Sequence, residues 1–297
     1  MLTQKPGIPE IREFTKNSAP LIHCITNPIS IHDCANMILA VGARPIMAEH
    51  PEEVEEITEV SSALMLNLGN ITDARIISMQ RALSTANRKN IPVLLDLVGV
   101  TCSQLRRSFA KQLLSQGVFS VIKGNISEIL AVAELPYHGT GIDAGSQDAV
   151  SVENQAWYCE TARHLAKHLN CTVMATGKKD LIADAENAFL VSNGHAALSG
   201  VTGTGCMVGA LTAAYLPGSK AIFTKSGIFE TSSIIPDKTK VSYGTAAALL
   251  AAVAMGISGE LAAEISKGPG SFQTALLDEV YAMTDETLLE KARLQEF

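Results

Sequence analysis

The chain has 297 residues, of which 47% are hydrophobic and 18% charged, with 22 glycines and 11 prolines. These proportions exclude a disordered, collagen-like or disulfide-scaffold chain and leave a compact fold with a sizeable core. The formal charge of −7, from 23 basic and 30 acidic residues, gives no general attraction to nucleic acid or to an anionic membrane surface, although a local pocket can still hold phosphate through backbone donors.

The opening MLTQKPGIPE has no apolar segment behind a basic start, so the expected compartment is the cytoplasm. From about Pro20, short apolar runs alternate with amphipathic segments, the pattern of βα units around a mostly parallel sheet. Strands are expected at Leu21–Ile25, Arg44–Met47, Ala63–Asn67, Val93–Leu97, Phe119–Lys123 and Thr172–Ala175. None shows polar alternation, which implies cover on both faces. Helices are expected at Ile31–Val41, Thr72–Lys89, Gln104–Ser115 and Glu153–Leu169, where apolar residues recur every three or four positions. Pro51, followed by Glu52 and Glu53, opens a further helix. Its glutamates (Glu52, Glu53, Glu55, Glu56, Glu59) read as a solvated face and not as a metal site.

Further along, GTGIDAGSQ at 139–147 reads as a surface loop. The polar Asp184 to Asn187 segment between two apolar stretches predicts an antiparallel hairpin. An apolar helix follows Gly203-Thr204-Gly205-Cys206 to about Leu216. The Ala-rich run Thr245 to Ile257 falls short of the ~20 residues a membrane span needs and reads as a buried helix. With no linker and no internal repeat, the expected organisation is one α/β domain over residues 1–297, with a mostly parallel central sheet and helices on both faces.

Several familiar sites are missing. The six cysteines form no CxxC pair and no zinc spacing, so most read as core hydrophobes. There is no GxxxxGK[ST], HExxH or GxSxG, and the glycines at Gly139 and Gly203 run G-x-G-x-x-x-G, which is not a dinucleotide fingerprint. His23, His50, His138 and His195 pair with no recognisable nucleophile and read as structural, exposed or one step removed from the reacting groups.

The segment Val201 to Met207 is the most informative. Two glycines and two threonines before an apolar helix either aim backbone N–H groups at an anion or simply allow close packing on the sheet. Asp96 ends an expected strand, and Glu128 follows another within five residues of Lys123. From the residues alone, helix capping by Asp96 and first-turn placement of Glu128 are the favoured readings, although two carboxylates at the carboxyl edge of such a sheet also suit Mg²⁺.

The chain resembles the hydroxyethylthiazole kinase family of ribokinase-like kinases. The resemblance rests on His23-Cys24-Ile25-Thr26-Asn27, Gly42 to Ala48, Leu66-Asn67-Leu68-Gly69, Asp96 to Val100, Lys123 to Glu128, Ala175-Thr176-Gly177 and Val201 to Cys206, in the family's order. It implies a ribokinase-like fold and transfer of the ATP γ-phosphoryl group to the primary hydroxyl of 4-methyl-5-(2-hydroxyethyl)thiazole, a thiamine-salvage step. It also implies a homotrimer with active sites between subunits. By position it places Asn27, Met47 and the Gly203 backbone on the thiazole, and Lys123, Thr176 and Gly205 on ATP. Asp96 and Glu128 fall on Mg²⁺, and Cys206 falls beside the reacting hydroxyl, where ribokinase-like kinases usually carry Asp. Lys123 stands where the family commonly has Arg, a point charge in place of a bidentate fork. The competing readings are a kinase of another small alcohol and a catalytically weak thiazole-binding regulatory protein.

Overall fold

A computed structural model describes residues 7–139, 145, 148–226, 229–230 and 240–297; most of the 139–147 segment expected to be a loop therefore lies outside the described residues. In chain order the first half runs α1 (Ile8–Ser18), β1 (Leu21–Ile25), α2 (Ile31–Ala40), β2 (Arg44–Ile46), α3 (Val54–Glu59), β3 (Ala63–Asn67), α4 (Asp73–Arg88), β4 (Val93–Asp96), α5 (Gln104–Gln116), β5 (Val121–Asn125) and α6 (Ile126–Val132). The second half runs α7 (Gln155–Leu169), β6 (Thr172–Thr176), β7 (Asp180–Ala183), β8 (Ala188–Val191), α8 (Thr204–Ser226), β9 (Phe229–Glu230), β10 (Lys240–Val241), α9 (Tyr243–Ile265), α10 (Pro269–Ala282), α11 (Asp285–Lys291) and β11 (Leu294–Glu296).

A nine-stranded sheet has the order β11-β8-β7-β6-β5-β4-β3-β1-β2, while β9 and β10 pair with each other. Strands β2, β1, β3, β4, β5 and β6 are parallel. The hairpin β7–β8 and the terminal β11 extend the sheet antiparallel. The hairpin turns at Asp184, whose Oδ1 accepts N–H bonds from Glu186 and Asn187.

Successive strand residues enter opposite cores, as the two-residue period requires. On β3, Ala63 and Met65 join the core under α1, α2, α8, α9 and α10, whereas Leu64 and Leu66 join the core under α4, α5, α6 and α7. The sheet is thus covered on both faces, as its unbroken apolar strands predict. Full burial of each Leu, Ile or Met is worth about 1.5–3 kcal/mol, so the two cores supply the main driving force.

Three expectations change in detail. Pro51 to Glu53 form a turn closed on the His50 carbonyl, and α3 begins only at Val54; its glutamates are solvent-exposed, as expected. The helix after Gly203 does not stop near Leu216 but continues through Pro217 to Ser226, because packing on α1, with Gly218 against Ile11 and Phe14, outweighs the lost N–H bond. The helix containing Thr245 to Ile257 extends to 23 residues, long and apolar enough to cross a membrane by length and composition, yet it is mostly buried inside this fold.

Candidate active site

Polar residues gather where the alternation of three neighbouring strands meets the carboxyl edge of the sheet. Along the α8 face the pattern is Ala63, Met65, Asn67 on β3; Leu94, Asp96 on β4; and Val121, Lys123 on β5. Register pairs Asn67 with Asp96 and Asp96 with Lys123, so the three side chains form one lateral row. All are buried, with Asn67 and Asp96 fully enclosed.

Helix α8 descends onto this row. A Cβ at Gly209 would lie 3.0 Å from Met65 Cε and 3.4 Å from Asp96 Oδ2, and a Cβ at Gly205 would lie 3.3 Å from Lys123 Nζ. These two glycines, four residues apart on one helix face, let the helix start sit directly over the charged pair. Gly203 precedes it at φ +83°, in the left-handed region, and packs against Ser30. The first amides of the helix, from Thr204, Gly205 and Cys206, have no carbonyl one turn earlier within the helix to bond and leave donors and positive dipole at the helix start, beside the row.

Cys206 Sγ accepts two N–H bonds, from Asn27 Nδ2 and Asn67 Nδ2, each at 3.3 Å. The Asn67 amide also donates to Asp96 Oδ2 at 3.1 Å. Lys123 Nζ lies 3.2 Å from both Asp96 oxygens. Asn27 and the Cys206 thiol thereby join the cluster through direct hydrogen bonds, although they are far apart in sequence. The hydroxyl of Thr26, beside Asn27, is buried without a partner among the described residues.

The electrostatics follow from burial. Burial pushes the Asp96 carboxyl up from its ordinary range, opposed by the charge and hydrogen bonds of Lys123. Burial also works against the Lys123 ammonium, but Asp96, with help from Glu128, outweighs it and holds the group above its usual value. Glu128 is pushed up to about 7, chiefly by burial, against the N–H bonds of Asn125 and Gly99 and the charge of Lys123.

Glu128 performs the local task foreseen as an alternative to metal binding. It is the third residue of α6 and closes a capping box with Asn125, its Oε2 accepting from the Asn125 N–H at 2.7 Å. Its Oε1 accepts from the Gly99 N–H at 2.6 Å. Asp96, by contrast, caps no helix and faces the row. Thr176 ends β6 opposite Asn125 and donates to the Gly124 carbonyl at 3.3 Å. Met47 follows β2, half-buried against the α8-side core; the next carbonyl, Ala48, accepts a bond from the enclosed His23 ring at 2.9 Å.

The donor chemistry fits magnesium. Asp96 is paired with Lys123, and the enclosed Glu128, bonded by two backbone N–H groups, lies within the electrostatic reach of the same ammonium; each carboxylate oxygen keeps lone pairs beyond its present bonds. Among the described residues no cluster of three acidic, His or Cys ligands exists. Magnesium needs none, since it keeps several waters and takes phosphate oxygens beside one or two carboxylates.

Asn67 and Gly209 escaped the sequence reading. The signal for Asn67 was present in the alternation, where the last inward residue of each of three strands turns polar. Gly209 is the third glycine of the G-x-G-x-x-x-G spacing, whose use here is close helix packing and not a dinucleotide loop.

The hydroxyethylthiazole kinase family model matches residues 11–286. The chain belongs to the hydroxyethylthiazole kinase family. A hydroxyethylthiazole kinase 2 of Clostridium botulinum (strain 657 / Type Ba4) is 42% identical over 288 residues, covering 97% of this chain and all of the relative. The solved hydroxyethylthiazole kinase of Pyrococcus horikoshii OT3 superposes with a TM-score of 0.80 at 31% identity over 98% of both chains. A ribokinase-like superfamily protein from Enterococcus faecalis V583 shares the fold, with a TM-score of 0.53 at 11% identity, covering 93% of this chain and 95% of that one. As a hydroxyethylthiazole kinase family member, the chain is a kinase on a ribokinase-like fold.

Proposed function

We propose that this protein transfers the γ-phosphoryl group of ATP to the primary hydroxyl of 4-methyl-5-(2-hydroxyethyl)thiazole, giving the thiazole monophosphate used in thiamine salvage. The observation that carries this reading is the Cys206 thiol, held between Asn27 and Asn67 at the start of α8, one hydrogen-bonded step from the Asp96–Lys123 pair.

Each group has a task suited to its chemistry. Asn27, Met47 and the Gly203 backbone hold the thiazole side, since Asn27 bonds the thiol and Gly203 packs on Ser30 nearby. Cys206 Sγ orients the substrate hydroxyl and, in its thiolate form, receives the hydroxyl proton as the new O–P bond forms and the bond to the departing ADP breaks. Lys123, Thr176 and the Gly205 amide hold phosphate oxygens, with the helix-start dipole favouring their charge. Asp96 and Glu128 would hold Mg²⁺, directly or through water, and the ion supplies neutralisation of phosphate charge when bound. Because phosphoryl transfer runs through a loose transition state, positioning and charge stabilisation supply most of the rate, and a thiol suffices where other kinases of this fold use a carboxylate.

The same reading gives a cytoplasmic homotrimer with sites between subunits. In such a trimer a neighbouring subunit would cover Ile29, 61% exposed and two residues from Asn27. Specific activity falling on dilution, in step with dissociation, tests that part.

The principal test is ATP- and Mg²⁺-dependent turnover of hydroxyethylthiazole, followed by mass spectrometry for wild type, Asp96→Ala, Glu128→Ala and Cys206→Ala. Thiazole monophosphate from the wild type, sharply reduced by both carboxylate changes, is the expected result. A folded wild type that binds thiazole without turnover would favour the regulatory binding protein, and one that binds no thiazole would favour another small alcohol.

A further inference from the structure

The Leu66-Asn67-Leu68-Gly69 segment has no assigned role in the proposed reaction, yet it supplies the centre of the hydrogen-bond network. We infer that Asn67 is a positioning residue that fixes the Cys206 sulfur relative to Asp96, and so aligns the alcohol side of the reaction with the phosphate side. The inference rests on the kinase reading above.

The Asn67 amide uses its whole hydrogen-bonding capacity. Its Oδ1 accepts from the Gly69 N–H at 2.9 Å and from Asn27 Nδ2 at 3.1 Å. Its Nδ2 donates to Asp96 Oδ2 at 3.1 Å and to Cys206 Sγ at 3.3 Å. Turning the amide over would set its NH₂ against two donors and its oxygen against a carboxylate, so only one orientation satisfies the site.

Asn27 is locked in the same way. Its Oδ1 accepts the N–H groups of Ile29 and Ser30, both at 3.1 Å, which forces its NH₂ toward Asn67 and Cys206. The sulfur therefore sits between two amides whose own orientations are set by backbone donors. A Cβ on Gly69 would come within 3.0 Å of both amides, so the turn after β3 presses the pair together.

Asn67 differs from Asn27 in touching the charged row. Its two N–H groups span the sulfur and Asp96, and its backbone position is fixed by register with Asp96. Loss of those N–H bonds frees the thiol relative to the phosphate-binding groups without removing any side chain expected to touch thiazole. Misplacement by about an ångström lowers turnover by orders of magnitude while leaving ground-state binding nearly intact.

The test is a double-mutant cycle on kcat in the full-length enzyme, with thiazole affinity measured by calorimetry in the absence of Mg²⁺ and nucleotide. Asn67→Asp keeps the acceptor for Gly69 and Asn27 but loses both donations. The expected result is a fall in kcat of roughly tenfold or more, with thiazole affinity within about threefold of wild type. In the Cys206→Ala background, followed by single-turnover product detection, Asn67→Ser should cost several-fold less than it does in wild type, because the sulfur it positions is gone, whereas Asn67→Asp also sets a new carboxylate against Asp96 in both backgrounds. Equal losses from Asn67→Ser in both backgrounds, or a loss confined to thiazole binding, would overturn the inference. Asn67→Ser removes the amide without adding a charge; failure of both variants to fold would assign Asn67 to stability alone. A wild type without turnover defeats the kinase reading itself, and is distinct from a working wild type with additive variants.

Discussion

Lys123 and Asp96 stand opposite one another on adjacent parallel strands, with Nζ 3.2 Å from each carboxylate oxygen and neither side chain more than 5% exposed. Such a pair is costly to break, because one partner alone leaves an uncompensated charge in the interior. Lys123→Met should destabilise the fold by about 3–5 kcal/mol. Adding Asp96→Asn should recover much of that loss while turnover stays abolished. Urea denaturation of the single and double variants measures the first effect, and product formation the second; a double variant no more stable than Lys123→Met would contradict the pairing.

Glu128 contributes a pH dependence, as does Asp180, which burial also pushes up to about 7. Burial raises the folded-state value of Glu128 from 4.5 to about 7, so folding favours the protonated carboxyl. Its stabilising contribution is complete below about pH 4.5 and is lost as pH rises through about 7. Linkage at about 1.4 kcal/mol per pH unit bounds the change at roughly 3 kcal/mol. In Mg²⁺-free buffer, Glu128→Gln should therefore gain stability relative to wild type as pH climbs across that window. Parallel denaturation curves at pH 4.5, 6 and 8 check it; a constant difference would mean that Glu128 ionises normally in the folded protein.

Gly203 and Gly205 should respond to alanine in opposite ways. At Gly203 the φ of +83° and a Cβ position 3.1 Å from Ser30 Cβ penalise any side chain, so Gly203→Ala should lower stability by about 1–2 kcal/mol and impair turnover. Gly205 lies within the first turn of α8, where alanine is the better helix former, by up to about 1 kcal/mol. Its new methyl would meet the flexible tip of Lys123 at 3.3 Å. Gly205→Ala should keep its melting temperature and raise KM for ATP, a separation visible by calorimetry beside steady-state kinetics.

Much of this was legible in the chain itself. Leu21–Ile25 and Ala63–Asn67 were expected as strands over the residues they occupy, because β-branched and apolar runs bounded by turn residues have few other uses in a βα pattern. The terminal β11 was not, since three residues, Leu294 to Glu296, acquire strand structure only by pairing with β8. Nor was α1, whose short amphipathic pattern is fixed by packing on α8. At the site, Asp96 and Lys123 could be named from motif and chemistry. Their direct pairing could not, because it depends on register between strands 27 residues apart in sequence. Asn67 was hidden for the same reason: an asparagine at a strand end reads as a turn residue until neighbouring strands supply its partners.

Cys206 offers the most direct reading of the chemistry. If the thiol assists and orients the hydroxyl while charge stabilisation dominates, Cys206→Ala should lower kcat by about 10²-fold and leave KM for thiazole nearly unchanged. The fold should tolerate the change, since alanine removes one buried sulfur but leaves the amides of Asn27 and Asn67 bonded to each other and to Asp96. Each amide does lose one acceptor, at about 1–3 kcal/mol apiece unless water enters. Residual turnover well above the uncatalysed rate, in a protein whose circular dichroism matches wild type, would place most of the rate in Lys123, the helix-start amides and the carboxylates. Complete loss with the fold intact would instead make the sulfur an indispensable base.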